Sequence, residues 1–151
     1  MPDDSLLSEL TLFAGLDGLA ILRLLELADL QTYEAGSVIV TEASHGDGIY
    51  ILYEGALAVE TANSDGQSLR LATIVERGAF FGEVATVDPG PRSASVLAES
   101  KSSLLVLTLD ALEQLYVEFP EAKVLILQNI ARVLAKRLRS VNAQYAQHTS
   151  F

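Results

Sequence analysis

The spacing of apolar residues near the start of the chain is that of one face of a helix. Between Ser5 and Leu30 they recur at intervals of three and four positions, at Leu12, Leu16, Leu19, Leu22, Leu25 and Ala28. Asp17 followed by Gly18 has the pattern of a helix cap, so the second half of this segment is predicted to open there. We expect an N-terminal helical part over residues 1–30.

The pattern changes between Gln31 and Leu109, where short β-favouring runs alternate with turn residues. The runs are 38–40, 49–52, 56–59, 69–74, 95–98 and 104–107. The segment from Asn63 to Gly66 lies between two of them and has the composition of a hairpin turn. Short strands at this spacing are typical of a β-sandwich or β-barrel, so residues 31–109 are predicted to be the β part of the fold.

Helical spacing returns after Thr108. Asp110 to Phe119 is predicted as a short helix, and Pro120 suits the first turn of a longer one that runs to about Gln147. One apolar stripe of the long helix has heptad spacing, at Val124, Leu127, Ala131, Leu134, Leu138, Val141 and Tyr145, and a second contains Ile126, Ile130 and Val133. Either one stripe packs on the β part and the other on a second copy, or both form one wide face on a single core. We expect the first arrangement, and therefore a homodimer through this helix.

The composition indicates one globular domain over residues 1–151 and excludes several kinds of site. Half of the residues are hydrophobic, the net charge is −10, and the chain has no cysteine and two histidines. Disulfides and thiolate metal sites are therefore excluded, and no metal site is expected. The acidic balance argues against direct nucleic-acid binding, which needs a basic face.

We expect neither a membrane segment nor a secretion signal. The apolar run Leu19 to Leu22 is interrupted by Arg23, far short of the roughly 20 residues that a membrane span needs. Asp3 and Asp4 lie where a secretion signal carries positive charge. A cytoplasmic location is the resulting expectation.

The segment from Phe81 to Val96 carries the candidate chemistry. Gly82 allows the backbone to turn sharply or to approach a ligand closely. Residues 83–87 can form a helical turn with free N–H groups that attract an anion, before a turn from Asp88 to Pro91. The Arg92 guanidinium can hold a phosphate through two charge-assisted bonds, and the Glu83 carboxylate can accept hydrogen bonds from a hydroxyl. Together these groups describe a site for a sugar phosphate.

The same residues resemble the phosphate-binding cassette of cyclic nucleotide-binding domains, as found in catabolite-activator proteins and protein kinase A regulatory subunits. The matching motifs are Phe81-Gly82-Glu83-x-Ala85, Pro91-Arg92-Ser93-Ala94-x-Val96 and, upstream, Gly36, Gly48-Ile49-Tyr50-Ile51-Leu52 and Gly55. The resemblance extends from about Leu12 to Gln147. It implies an eight-stranded jelly-roll β-barrel, preceded by an N-terminal helix and followed by two C-terminal helices, the last one long.

The resemblance also implies roles for single residues. Glu83 would bind the ribose 2′-hydroxyl, and Arg92 would pair with the cyclic phosphate. The full set of expected ligand-binding residues is Phe81, Gly82, Glu83, Val84, Ala85, Arg92, Ser93, Ala94 and Asn142. Asn142 is included because the last helix is expected to be drawn over the base when the ligand binds. Thr86 departs from the family pattern, which has an aliphatic residue there.

Cyclic AMP is the expected ligand, with cyclic GMP left open because the Ser93 hydroxyl could serve either the phosphate or the amino group of guanine. No catalysis is expected. Only His45 lies in the β part, and nothing in the sequence pairs a histidine with Ser93 as a hydrolase would.

Two alternatives remain open. In a degenerate dimerisation module, Arg92 and Glu83 would form only a structural ion pair. In a longer transcription regulator, channel or transporter, the chain would be the effector domain. Transcription regulators of the catabolite-activator type continue into a helix-turn-helix, for which the residues from Gln147 to Phe151 are too few.

Overall fold

The structure is a computed structural model that describes residues 4–88 and 90–148. Its helices are α1 (Asp4–Ser8), α2 (Gly18–Leu27), α3 (Leu109–Glu118) and α4 (Pro120–His148), with 3-10 helices at Thr11–Phe13 and Glu83–Thr86. Its strands are β1 (Asp29–Tyr33), β2 (Val38–Val40), β3 (Gly48–Glu54), β4 (Leu57–Ala62), β5 (Ser68–Ile74), β6 (Phe80–Phe81), β7 (Ser95–Ala98) and β8 (Ser102–Thr108). Pro89 of the predicted turn and the chain end from Thr149 lie outside the described residues.

The eight strands of the described residues form two antiparallel sheets of four. Their orders are β1-β8-β3-β6 and β2-β7-β4-β5. The predicted class, mainly β with flanking helices, is confirmed. The predicted closed barrel is not found, since no strand in the described part of the chain pairs from one sheet to the other. The edge strands β6 and β2 have only two and three residues, too few to extend a ladder around the fold.

The central strands β3 and β8 are buried on both faces. Ile49 and Ile51 of β3 pack with the helices, whereas Tyr50 and Leu52 point to the opposite face, into the space between the two sheets. Strand β8 alternates in the same way. Because successive side chains of a strand point to opposite faces, burial on both sides produces the continuous apolar runs seen in the sequence. The helices therefore cover one sheet, and the second sheet encloses the other core.

The predicted N-terminal helical segment is interrupted. Residues 4–8 and 11–13 are helical turns, and α2 starts only after Asp17, whose side chain accepts a hydrogen bond from the Ala20 amide at 2.9 Å. The cap at Asp17 is thus confirmed. The predicted apolar stripe is only partly the buried face. Leu12 is buried, and Leu16, Leu25 and Ala28 pack partly on the core. Leu19 and Leu22 are exposed, and Ala20, Ile21 and Leu24 form the buried face of α2 instead. Residues before and after the break do not belong to one helix, so their spacing along the sequence does not tell which of them share a face.

The six predicted β runs fall within strands, apart from Ala56, which precedes β4. The hairpin turn between β4 and β5 is confirmed, since the Gly66 amide donates to the Asn63 carbonyl at 3.0 Å. Two strands were not predicted. Strand β1 is a polar edge strand, and β6 has only two residues, so neither has the apolar alternation that marks a strand. The β part therefore begins at Asp29, and Leu109 belongs to α3.

Helix α4 begins at Pro120 as predicted, but part of the stripe that was expected to face a second copy packs on the chain's own core. Ile126 and Ile130 are buried against the fold, as expected of one stripe. Leu127 and Leu134 of the heptad stripe also pack partly on this core, so they are not free for a second copy. From Lys136 to Gln147 every residue is exposed. No helix in residues 4–88 and 90–148 combines the length and apolar character needed to cross a membrane.

A buried asparagine fixes the first half of α4. The Asn129 side chain donates hydrogen bonds to the carbonyls of Leu12 and Ala14, at 3.1 and 2.9 Å, and accepts one from Arg132 at 3.1 Å. These carbonyls belong to the 3-10 turn and the break before α2, where the backbone has no regular partner. Asn129 therefore sets the position of α4 relative to the N-terminal part.

Replacing Asn129 with alanine is expected to lower the free energy of unfolding by about 2 kcal/mol, since a buried carbonyl and a partly buried one lose their donor. Urea unfolding followed by circular dichroism measures the change. The control is Gln128→Ala, at an exposed position on the same helix, which should change stability by less than about 0.5 kcal/mol. Equal stability of the two variants would contradict the anchoring role.

Candidate ligand-binding site

The cassette is positioned by a close contact between the backbone at Gly82 and the start of β3. Gly82 follows β6 with a φ of 88°, in the left-handed region, and leads into the 3-10 helix Glu83–Thr86. A Cβ atom at Gly82 would overlap the carbonyl oxygen of Gly48 at the start of β3. Both the positive φ and the close approach therefore require glycine at this position. This backbone contact places the next residue, Glu83, inside the protein, where it is buried.

The cassette borders a cavity of about 480 Å³. It is lined by Val40, Val59, Phe81, Gly82, Glu83, Val84, Ala85, Asp88, Gly90, Pro91, Arg92, Ser93, Ala94, Val96 and Arg137. The strands β2, β4 and β7 supply apolar side chains, the cassette supplies polar groups, and α4 supplies one arginine. A mainly apolar wall with a few placed polar groups is typical of small-molecule sites.

Arg92 is the buried cation of the site. Its side chain is 10% exposed, and its Nη2 atom lies 2.6 Å from the Asp47 Oδ1 atom. Its Nε atom is buried without a hydrogen-bond partner among the described residues. The backbone holds the residue from both sides, since the Arg92 amide donates to Ser44 at 2.7 Å and its carbonyl accepts from Ala43 at 2.8 Å. A fixed guanidinium with a free buried donor is suited to an anion.

Tyr50 supports both ends of the cassette. Its ring stacks on Phe81, with centroids 5.0 Å apart and planes 6° apart, and the Arg92 guanidinium lies 5.6 Å from its centroid. Its hydroxyl donates to Asp47 Oδ1 at 3.0 Å. Burial, and then the Asp47 charge and this hydrogen bond, raise the pKa of Tyr50 to about 12. The phenol is therefore a neutral donor to Asp47 at physiological pH.

Glu83 is the buried anion of the site and is 1% exposed. Its Oε1 atom forms an ion pair with the Nη1 atom of Arg137, which reaches the cavity from α4 and is 53% exposed. The Arg137 guanidinium also lies 5.8 Å from the Phe80 ring centroid. A buried carboxylate is costly unless paired, so α4 supplies the charge that stabilises this part of the cassette.

Eight of the nine predicted ligand-binding residues line the cavity; they are Phe81, Gly82, Glu83, Val84, Ala85, Arg92, Ser93 and Ala94. Asn142 is exposed on α4 and is not among the lining residues, so its contact with a ligand stays a prediction. Sequence reasoning missed Arg137, Asp47 and Asp88. The only signal for Arg137 was its place in a basic segment of the last helix, which does not indicate a partner.

The alternative in which Arg92 and Glu83 form a structural ion pair is not what the structure contains. Within the described residues, Arg92 pairs with Asp47, and Glu83 pairs with Arg137. Each cassette charge is thus compensated by a residue outside the cassette. The two charges remain available to separate groups of one ligand.

Comparison with known proteins assigns the family. The model of the cyclic nucleotide-binding domain matches residues 30–119. A CRP-like cAMP-activated global transcriptional regulator of Mycobacterium tuberculosis is 30% identical over 143 residues, which are 95% of this chain and 62% of that protein. A cAMP-dependent protein kinase regulatory subunit of Yarrowia lipolytica is 30% identical over 112 residues, which are 74% of this chain and 29% of that protein.

A solved structure agrees with these sequence matches. The N-terminal domain of a transcriptional regulator from Streptomyces coelicolor is 29% identical, with a TM-score of 0.78 over 87% of this chain and 91% of that one. The chain spans less than two thirds of the curated transcriptional regulator that it matches. The family model covers more than half of the chain, from β1 through the end of α3, and includes the whole cassette. The chain therefore belongs to the cyclic nucleotide-binding domain family.

Proposed function

We propose that this chain binds a cyclic nucleotide, with cyclic AMP as the favoured ligand, and that residues 1–151 act as one sensor unit. The observation that carries the proposal is the buried Arg92 guanidinium, which borders the cavity with a free Nε donor. A buried donor without a partner is costly, and a phosphate oxygen would satisfy the Arg92 Nε donor. Binding of the phosphate would thus supply the hydrogen bond that Arg92 lacks.

The remainder of the cavity suits a nucleoside. Glu83 accepts hydrogen bonds and is held where a ribose hydroxyl could donate. Val40, Val59 and Val96 offer an apolar wall to a base. The volume of about 480 Å³ lies within the range of small-molecule sites, about 300–1,000 Å³. Two relatives described as cAMP-activated and cAMP-dependent favour adenine, while the Ser93 hydroxyl on the cavity wall keeps cyclic GMP as the competing ligand.

The proposed role is recognition without catalysis, as a sensor that acts on another part of a protein or on a partner. The matched relatives are a regulator and a regulatory subunit, and the chain covers only part of each. An effector domain of a longer regulator is consistent with the same observations.

Arg92→Ala is expected to weaken cyclic AMP binding by about 3–5 kcal/mol, since the phosphate would be buried without its cation. Glu83→Ala should lose less, about 1–3 kcal/mol, because it removes hydrogen bonds to hydroxyls. Isothermal titration calorimetry on ligand-free protein measures both. The control is Arg23→Ala, which removes an arginine that pairs with Glu118 on the helices, away from the cavity.

The control should bind cyclic AMP like the parent protein. Unchanged affinity in Arg92→Ala would contradict the assigned phosphate site. Absence of heat with both cyclic AMP and cyclic GMP, together with no thermal shift, would favour the degenerate dimerisation module instead.

The Glu83–Arg137 ion pair offers a route from the cavity to α4. A ribose hydroxyl that bonds to Glu83 must share the carboxylate with Arg137 or displace it, so binding changes the balance that holds this part of α4. Asn129 anchors the helix before this point, and the exposed part follows it. We propose that the segment beyond Arg137 moves on binding and carries the output signal.

A dye on α4 tests this movement, because the chain has no cysteine and a single one can be labelled. With Gln144→Cys labelled by an environment-sensitive dye, cyclic AMP should change the fluorescence. The change should be largely lost when Arg137→Ala is added, at saturating ligand. Labelled Gln128→Cys, next to the anchor Asn129, should stay constant. An equal response at both positions would argue against a hinged end of α4.

Dimerisation through α4 is the last part of the proposal. Val124, Leu138 and Val141 are exposed apolar residues, and Val124 and Leu138 are two heptads apart. Because Leu127 and Leu134 pack partly on the subunit itself, the pairing surface is narrower than the sequence suggested. Exposed apolar residues along one helix are suited to pairing with the same helix of a second copy, related by two-fold symmetry.

The double variant Leu138→Glu, Val141→Glu should be monomeric, since like charges would meet at the seam. Leu134 is left unchanged because its replacement would also disturb the core. Ser140→Glu, an exposed position of the same helix, is the control and should remain dimeric. Sedimentation velocity decides, and a monomeric parent protein at micromolar concentration would refute the assembly.

A further inference from the structure

A carboxylate pairs with the cation that would hold the phosphate, and two further carboxylates line the same cavity. Asp47 is bonded to Arg92 at 2.6 Å, and Asp88 lines the same cavity. Glu83 takes up the charge of the second arginine, Arg137. The five side chains therefore carry a formal charge of −1 before any ligand binds. The whole chain, at −10, adds to the negative field.

The charge of a ligand phosphate matters in such a site. A cyclic phosphodiester carries one negative charge, whereas a terminal phosphate carries about −1.5 to −2 at neutral pH. Arg92 has one free buried donor, at Nε, while Nη2 remains on Asp47. One ligand charge can share this arginine with Asp47. The other cation on the cavity wall, Arg137, is already paired with Glu83. A second ligand charge is therefore not neutralised by a further cation, and it adds to the charges of Asp88 on the wall and of Asp47, which pairs with Arg92.

We propose that Asp47, by sharing Arg92 with the ligand, makes the site selective for singly charged phosphodiesters over doubly charged terminal phosphates. This inference rests on the proposed function and assigns a specificity-determining residue to it. Asp47 is 66% exposed, so its effect is one of partial neutralisation and is screened by salt. Asp88 adds to the same selectivity from the cavity wall.

Ring shape and charge must be separated experimentally, because cyclic AMP differs from adenosine 5′-monophosphate in both. The methyl ester of adenosine 5′-monophosphate is open like the monophosphate but carries one charge like the cyclic ligand. The ratio of dissociation constants, monophosphate over methyl ester, thus reports charge selectivity alone. Displacement of bound cyclic AMP measures both constants.

The unmodified protein should bind the methyl ester more tightly than the monophosphate. Asp47→Asn, which keeps the shape and an oxygen acceptor for Tyr50, should reduce the ratio by about fivefold. Asp88→Asn should change it in the same direction. The control Glu121→Gln lies ~24 Å before Arg137 along α4 and should leave the ratio unchanged. High salt should shrink the ratio in the unmodified protein.

Two results would overturn the inference while leaving the proposed function intact. A ratio near one in the unmodified protein, with tight cyclic AMP binding, would show that charge is not selected. An equal loss of affinity for both open ligands in Asp47→Asn, with an unchanged ratio, would show that Asp47 only holds Arg92 in place. Failure of the unmodified protein to bind cyclic AMP would overturn the proposed function as well, so the outcomes are distinguishable.

Discussion

The buried carboxylate of Glu83 couples the cavity to the last helix. Removing a carboxylate from water costs several kcal/mol, and the chain compensates this with Arg137 from α4 rather than with a neighbour in the cassette. Any ligand group that bonds to Glu83 acts on the same pair. This one interaction is the contact through which the proposed function connects occupancy of the cavity to the position of α4.

The sheets provide the rigid frame that this interaction needs. Strands β3 and β8 are buried on both faces, so they cannot shift without exposing one of two cores. The backbone of Gly82 lies so close to the Gly48 carbonyl oxygen, at the start of β3, that a Cβ atom at Gly82 would overlap it. Tyr50 of the same strand stacks on Phe81 and bonds to Asp47. The cassette is thus fixed by β3 on one side, and on the other side its Glu83 is paired with Arg137 of α4.

Sequence reasoning succeeded where local chemistry determines the structure. The cassette could be recognised because Gly82, Glu83 and Arg92 each have a chemical role at a short, fixed spacing. It failed where partners are distant: Arg137 lies 54 residues from Glu83, and no pattern in the helix marks that contact. The short strand β6 was missed for a related reason, since tertiary packing rather than propensity defines it.

Helix α4 combines three tasks that occupy different parts of its length. Asn129 fixes its first half to the carbonyls of the N-terminal part, Arg137 enters the cavity, and the exposed residues beyond carry the apolar positions Leu138 and Val141. This order bears on the proposed movement, because a helix held at Asn129 would be displaced least near that anchor and most at its far end. Leu138 and Val141 lie in that part of the helix, so the proposed dimer contact would be the contact that the proposed movement changes most.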